Sequence, residues 1–210
     1  MRPEKLKKQK TGNEQFSSIE KLHPHKTLLF FALLGSSLLF MSISFLFLVS
    51  ISRQSPLQHF VLSKWFFIGS LALLISSFSL SGIKNAFKND HYAAIRQKLI
   101  FTLVMGSVFI FCQLAGWYEM LRSGFEIHAH PLLSFFYILS GIHLLHALAG
   151  QAVISVILIH ASRQNSDPVK SLIYFSNPIH CLRLEMSVIF WHFVDFLWLA
   201  LFIMFLFTLG

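Results

Sequence analysis

Three ionisable side chains, Glu185, His192 and Asp195, stand at the start of a run that is otherwise apolar from Met186 to Leu209. Read as a helix, positions 185, 188, 192, 195 and 199 share one face. A second apolar run carries His143 and His146, three positions apart, with Leu139 and Gly150 continuing their face. Ionisable groups are costly in hydrocarbon and normally face a bundle interior or a partner. If the two runs pack antiparallel, a rise of about 1.5 Å per residue puts His146 level with His192 and His143 level with Asp195. The expectation is one polar cluster of His143, His146, Glu185, His192 and Asp195 whose members satisfy one another. Histidine and carboxylate are ligands for zinc or iron. The i, i+4 histidine pair of H-E-x-x-H and the Glu-x-x-His pair of di-iron bundles are both missing. Nothing marks one histidine as an axial haem ligand. The residues favour a hydrogen-bonded network that fixes helix packing or holds a lipid headgroup. A proton relay through His, Glu and Asp is the other reading.

These groups need helices that cross a bilayer to position them. The chain has 210 residues, 55% hydrophobic and 12% charged, with 24 Phe; a soluble domain carries roughly 25% charged residues. The charges crowd between long apolar runs. A bilayer takes about 20 residues of helix, and five runs qualify: about 28–51, 65–83, 99–121, 132–159 and 186–209. The fold class is therefore all-α, a polytopic membrane bundle of five helices over 27–210, behind a basic tail over 1–26. That tail lacks a short apolar core with a cleavage site, so it is expected to stay as a cytoplasmic tail and not to act as a signal peptide. Lys and Arg number fourteen in the tail, second loop and fourth loop, against three in the first and third loops. The positive-inside rule then puts the N-terminus in the cytoplasm and the C-terminus outside. The net charge of +8 is this orientation signal and not a nucleic-acid footprint. Cys112 lies in a span and Cys181 in a loop, which defines no disulfide framework.

Gln113 and Trp117, four apart, read as structural: the amide bonds a neighbouring helix and the indole anchors at the interface. Glu119 reads as a solvated helix end, and His128 and His130 beside Pro131 as solvated loop histidines. The sequence has no nucleophile with a base, no phosphate-binding glycine loop and no Cys-x-x-Cys pair. It carries no self-contained active site.

Glu185, then Trp191-His192-Phe193-Val194-Asp195 and Trp198, resembles the C-terminal signature of subunit III of haem-copper respiratory oxidases. Ser134-Phe135-Phe136-Tyr137, Ser140-Gly141-Ile142-His143-Leu144-Leu145-His146 and Ala149-Gly150 are similar to another block of that family. Gln113 with Gly116-Trp117 resembles the end of the preceding helix, and His23-Pro24-His25-Lys26 resembles bacterial members. The resemblance covers roughly residues 21 to 210. It implies a five-helix subunit III of the bacterial cytoplasmic (inner) membrane, with Trp191 and Trp198 among the helix-packing residues. It also implies a direct partner, the catalytic subunit I, with subunit II and further subunits beyond it. Haem and copper would then lie in the partner subunits, and this chain would bind phospholipid, in a cleft between the first two helices and the last three. Such a subunit supports proton uptake and protects the catalytic site in aerobic electron transport and proton translocation. Many members have a Glu in the first of these helices; here Gly35-Ser36-Ser37 stand without an acid. A quinol oxidase, a nitric oxide reductase accessory protein and an independent transporter or scaffold are the alternatives.

Overall fold

The structure is a computed structural model that describes residues 24–53, 62–89, 91–128, 130–164 and 178–209. The tail expected over 1–26 lies outside the described residues as far as 23. The regular elements among the described residues are all helices: α1 (Pro24–Arg53), α2 (Lys64–Leu80), α3 (Ile83–Lys88), α4 (Tyr92–Arg122), α5 (Pro131–Gln164) and α6 (Pro178–Leu209). Five stretches are long and apolar enough to cross a membrane: Lys26–Arg53, Lys64–Phe87, Tyr92–Arg122, Pro131–Ser162 and Ile179–Leu209. A helix satisfies its own backbone groups where no water can, and long apolar runs take that form. The protein is a multi-pass, all-α membrane protein.

Two limits differ from the sequence reading. The second span, expected over 65–83, breaks at Ser81-Gly82 and resumes as α3. Gly82 sits at φ 78°, a left-handed conformation that a Cβ would strain. The stretch 84–98, read as a loop, is helical from Tyr92. Lys98, on the first turns of α4, donates from Nζ to the Ser79 carbonyl at 2.7 Å and the Ser81 carbonyl at 2.9 Å. The carbonyls freed by the break thus gain a cation, the favoured partner at a helix C-terminus. Charge had marked this segment as a loop, whereas it is a helix end carrying charge to its neighbour.

Local chemistry also sets the helix starts. Ser63 accepts from the Trp65 amide at 3.3 Å and donates to Glu119 Oε2 at 2.6 Å. Glu119 is therefore tied to the start of α2, not merely solvated. His130 Nδ1 accepts from the Leu132 amide at 3.3 Å and so caps α5 ahead of Pro131, a favoured first helical residue. His128 is exposed.

Residues 1–38 and 39–210 form two compact units. The described part of the first is the opening half of α1, where the Ser37 hydroxyl donates to the Leu33 carbonyl at 2.8 Å. In the second unit, α2 packs against α4 and α6, and α5 also packs against α4 and α6, which closes a ring of four helices. The division expected between the first two helices and the last three therefore does not run between α2 and the rest. Aromatic edges fill the ring. Phe66 meets Phe136 at 5.5 Å, Phe109 meets Trp198 at 5.1 Å and Phe136 meets Phe205 at 4.7 Å between ring centroids. Edge-on and tilted pairs suit the aromatic quadrupole. Lipid gives helices no hydrophobic reason to associate, so such packing and interhelical hydrogen bonds must hold them.

Candidate functional site

The polar groups of α6 pair mainly with α2. Trp198 Nε1 donates to Ser70 Oγ at 2.8 Å, Trp191 Nε1 to Ser76 Oγ at 3.0 Å, and His192 Nδ1 bonds Ser77 Oγ at 2.6 Å. Beyond the break, Lys84 Nζ meets Glu185 Oε1 at 2.8 Å. From Ser70 to Ser76 and Ser77 and on to Lys84, the partners move back from Trp198 to Trp191 and His192 and on to Glu185, so the two segments run antiparallel. The serines fit because a hydroxyl both donates and accepts. Ser70 donates to the Phe66 carbonyl at 2.7 Å and Ser76 to the Leu73 carbonyl at 2.8 Å, leaving each oxygen free for an indole N–H. The same device joins α4 to α5: Trp117 Nε1 donates to Ser140 Oγ at 3.2 Å, and Ser140 donates to the Phe136 carbonyl at 2.7 Å. Trp117 is thus a cross-helix donor, not an interface anchor.

Trp191 is fully buried. A methyl added at Gly106 on α4 would sit 2.9 Å from its ring, and one at Gly150 on α5 also 2.9 Å. The indole therefore lies against two bare backbones while its N–H reaches a third helix. A Trp facing paired glycines is the aromatic counterpart of small-residue packing between membrane helices.

The five residues expected in one cluster separate. His143 is fully buried, with its ring 5.5 Å from Phe109 and 4.8 Å from Trp198. It therefore meets α6 three positions beyond Asp195, and the register assumed from depth alone is shifted. His146 bonds the Ile142 carbonyl of its own helix at 2.9 Å and lies edge-on to Phe40 of α1 at 5.5 Å. Three residues on a helix turn the side chain by about 60° from alignment, which is enough to aim His143 and His146 at different neighbours. His192 bonds Ser77, and Asp195, three positions on, is buried beside the same Ser77 hydroxyl. Glu185 goes to Lys84. Gln113, expected to bond a neighbouring helix, is buried with no hydrogen-bond partner among the described residues. No group of three His, Cys, Asp or Glu residues among the described residues comes together as metal ligands would.

The stretch that holds these pairs also carries the likeness to known proteins. A family model described as Cytochrome c oxidase subunit III matches residues 67–209, which take in every Trp–Ser pair above. The chain belongs to the cytochrome c oxidase subunit III family. It is 29% identical over 156 residues to the cytochrome bo(3) ubiquinol oxidase subunit 3 of Buchnera aphidicola, covering 74% of this chain and 75% of that one. It is 30% identical over 135 residues to the cytochrome c oxidase subunit 3 of Thermostichus vulcanus, covering 64% of this chain and 61% of that one. It is also 30% identical over 137 residues to the cytochrome c oxidase subunit 3 of a Synechocystis strain, covering 65% of this chain and 54% of that one.

In this subunit III chain, the sequence reading had missed Ser70, Ser76, Ser77, Ser140, Lys84 and Lys98 as partners. A signal was present: Ser70, Ser77 and Lys84 recur at the seven-residue spacing of a helix seam. The Lys84–Glu185 pair is open to solvent, with the side chains 49% and 27% exposed. Lys84→Glu is expected to lower stability only slightly, as solvent screens the pair, and adding Glu185→Lys to recover most of the loss. Denaturant unfolding of the two variants in detergent measures both; no recovery in the double variant would remove the pair as a contact.

Proposed function

We propose that this chain is the non-catalytic subunit III of a haem-copper terminal oxidase in a bacterial cytoplasmic membrane. There it stabilises the catalytic subunit I, its direct partner, and supports proton uptake while the complex reduces oxygen. The observation that carries the reading is the family match over 67–209. A second one supports the non-catalytic role: the ionisable groups His192 and Glu185 are engaged in holding helices together, and His143 is walled in by rings. On this reading haem and copper belong to the partner subunits, subunit II lies further out in the complex, and the ligand of this chain is phospholipid. Affinity purification of a tagged chain in mild detergent is expected to bring a haem protein with it, seen in the visible spectrum. A chain that purifies alone and free of haem would instead be a transporter or scaffold.

The electron donor is proposed to be cytochrome c, as the names of the Thermostichus and Synechocystis relatives say of those proteins. Ubiquinol is the second reading, because the Buchnera relative, matched over 156 residues, is named a ubiquinol oxidase subunit. Oxygen uptake by the purified complex, driven by reduced cytochrome c or by quinol, separates the two. The N-terminus is proposed to be cytoplasmic, on the charge imbalance between loops. A phosphatase fused at Gly210 is expected to be active and one at Asn89 inactive; the reverse would overturn the orientation.

A further inference from the structure

Where α2 begins and α4 finishes, the surface carries charge that the helix pairing above does not use. Lys64 and Arg122 are exposed, and neither is in an ion pair among the described residues. Both line a hollow of about 420 Å³, with Trp65 on the α2 side and Tyr118, Glu119 and Ser123 on the α4 side. Small-ligand sites fall at about 300–1,000 Å³. Arg122 is held at the rim, its guanidinium carbon 5.0 Å from the centre of the Tyr118 ring, which is a cation–π distance. Glu119 accepts from the Ser63 hydroxyl through Oε2.

Below the hollow the same face of α4 is apolar. Phe111, Leu114 and Tyr118 are 64%, 49% and 59% exposed and stand in line with Arg122 at helical spacing. Trp65 flanks this stripe from α2, edge-on to Phe111 at 6.0 Å. From Arg122 to Phe111 the stripe runs about 16 Å along the helix axis, half of a hydrocarbon core about 30 Å thick. Trp and Tyr favour the boundary between that core and the headgroups, which puts Lys64 and Arg122 at headgroup depth. The surface is therefore charged at the height of one headgroup and apolar along the length of one leaflet. A free anion would meet the cations and leave the stripe unused; a plain hydrocarbon would do the reverse. A phospholipid meets both, because Lys and Arg bind phosphate, Arg through its planar fork. The Glu119 carboxylate on the same wall suits a headgroup that also carries a cation.

We propose that this hollow binds one aminophospholipid, with its phosphate between Lys64 and Arg122, its ammonium toward Glu119 and an acyl chain along Tyr118, Leu114 and Phe111. The proposal rests on the reading of phospholipid as the ligand of this chain and gives that ligand a place. The lipid bridges the start of α2 and the end of α4, at the far end of the second span from the Lys84–Glu185 pair.

Native mass spectrometry of the full-length chain, released from nanodiscs of phosphatidylethanolamine and phosphatidylglycerol in equal parts, tests this. One phosphatidylethanolamine is expected to stay on the chain. Lys64→Gln with Arg122→Gln is expected to weaken its binding by about tenfold or more, the effect of losing charge-assisted hydrogen bonds. Glu119→Gln, which still accepts from Ser63, is expected to shift retention toward phosphatidylglycerol. Arg96→Gln removes an exposed cation at the other end of α4 and is expected to change nothing. Circular dichroism checks that each variant is helical; should the double variant not fold, Lys64→Gln alone takes its place. Retention unchanged by the double variant, or lost equally with Arg96→Gln, would overturn the proposal. So would release of the lipid by millimolar inorganic phosphate, which would mark a site for the free anion, or equal retention of the two lipids by the unaltered chain. A chain that loses this lipid site but still purifies with haem keeps the oxidase reading; one that holds the lipid but purifies without haem loses only that reading.

Discussion

Trp191→Ala is expected to be the most damaging single replacement in the four-helix ring. The indole is fully buried and reaches the backbones of α4 and α5 at Gly106 and Gly150, and its N–H is the donor to Ser76 on α2. Truncating a buried Trp costs about 3–5 kcal/mol through lost contacts and the cavity left behind. Here the Ser76 oxygen also loses its partner inside the core, worth about 1 kcal/mol more. A domain holds only about 5–15 kcal/mol in total, so most of the margin would go. Trp191→Phe keeps a ring against the glycines and removes the hydrogen bond; its cost is expected near 1–2 kcal/mol, from that bond and the smaller ring. Trp65 is half-buried, edge-on to Phe111 at 6.0 Å, and Trp65→Ala is expected to cost much less than Trp191→Ala. Unfolding by denaturant in detergent, followed by helical circular dichroism, ranks the three. Equal midpoints for Trp191→Ala and Trp65→Ala would refute the role given to Trp191.

Gly106→Leu and Gly150→Ala are expected to fail for the opposite reason, overfilling. The first added carbon at Gly150 would already sit 2.9 Å from Trp191, and at Gly106 it would also meet the Gln151 amide. Trp191 has little room to withdraw, because its N–H holds it to α2. Overpacking of this kind costs about 1–3 kcal/mol, more for the larger Leu. The intrinsic gain of alanine over glycine in a helix, about 1 kcal/mol, offsets only part of it at Gly150. At Gly141 an added methyl would stand 3.7 Å from Trp117, an ordinary contact, so Gly141→Ala is expected to be neutral or stabilising. Gly150→Ala combined with Trp191→Phe should recover part of the loss, since the smaller ring vacates the space the methyl takes. If Gly141→Ala and Gly150→Ala unfold alike, the close approach at Gly150 is not there.

The helices themselves were legible because hydrophobic length is a local property. Whether a run can cross a bilayer depends on its own residues, and the five runs read from the sequence correspond to the five apolar helices of the structure. The likeness to subunit III was legible for a similar reason: Trp191-His192-Phe193-Val194-Asp195 is a short string recognised without its surroundings. Periodicity went one step further and put Glu185 and His192 on a common face. It stopped there, since a face does not name the helix it meets. Depth matching offered α5 as the partner of that face, and the structure gives α2. Serine is why α2 escaped notice: among apolar residues in a span, Ser70, Ser76 and Ser77 read as small and unremarkable. Their oxygens matter only once an indole or imidazole from α6 stands opposite.

By itself, then, the sequence determined the number of apolar helices, the all-α class and the family. It also determined that ionisable groups inside the spans required some partner, because burying them unpaired is costly. The tertiary structure alone decided which partners those are. It split His143 from His146, since a three-residue step rotates neighbours far enough to face different helices, and set His192 and Asp195 beside one serine of α2, Ser77. It carried the helix of Lys98 back across a segment read as a loop, to the carbonyls freed at Ser81-Gly82. Helix-to-helix register is set by side chains far apart in the chain fitting together, here Trp191 against Gly106 and Gly150, and no pattern within one segment contains that information.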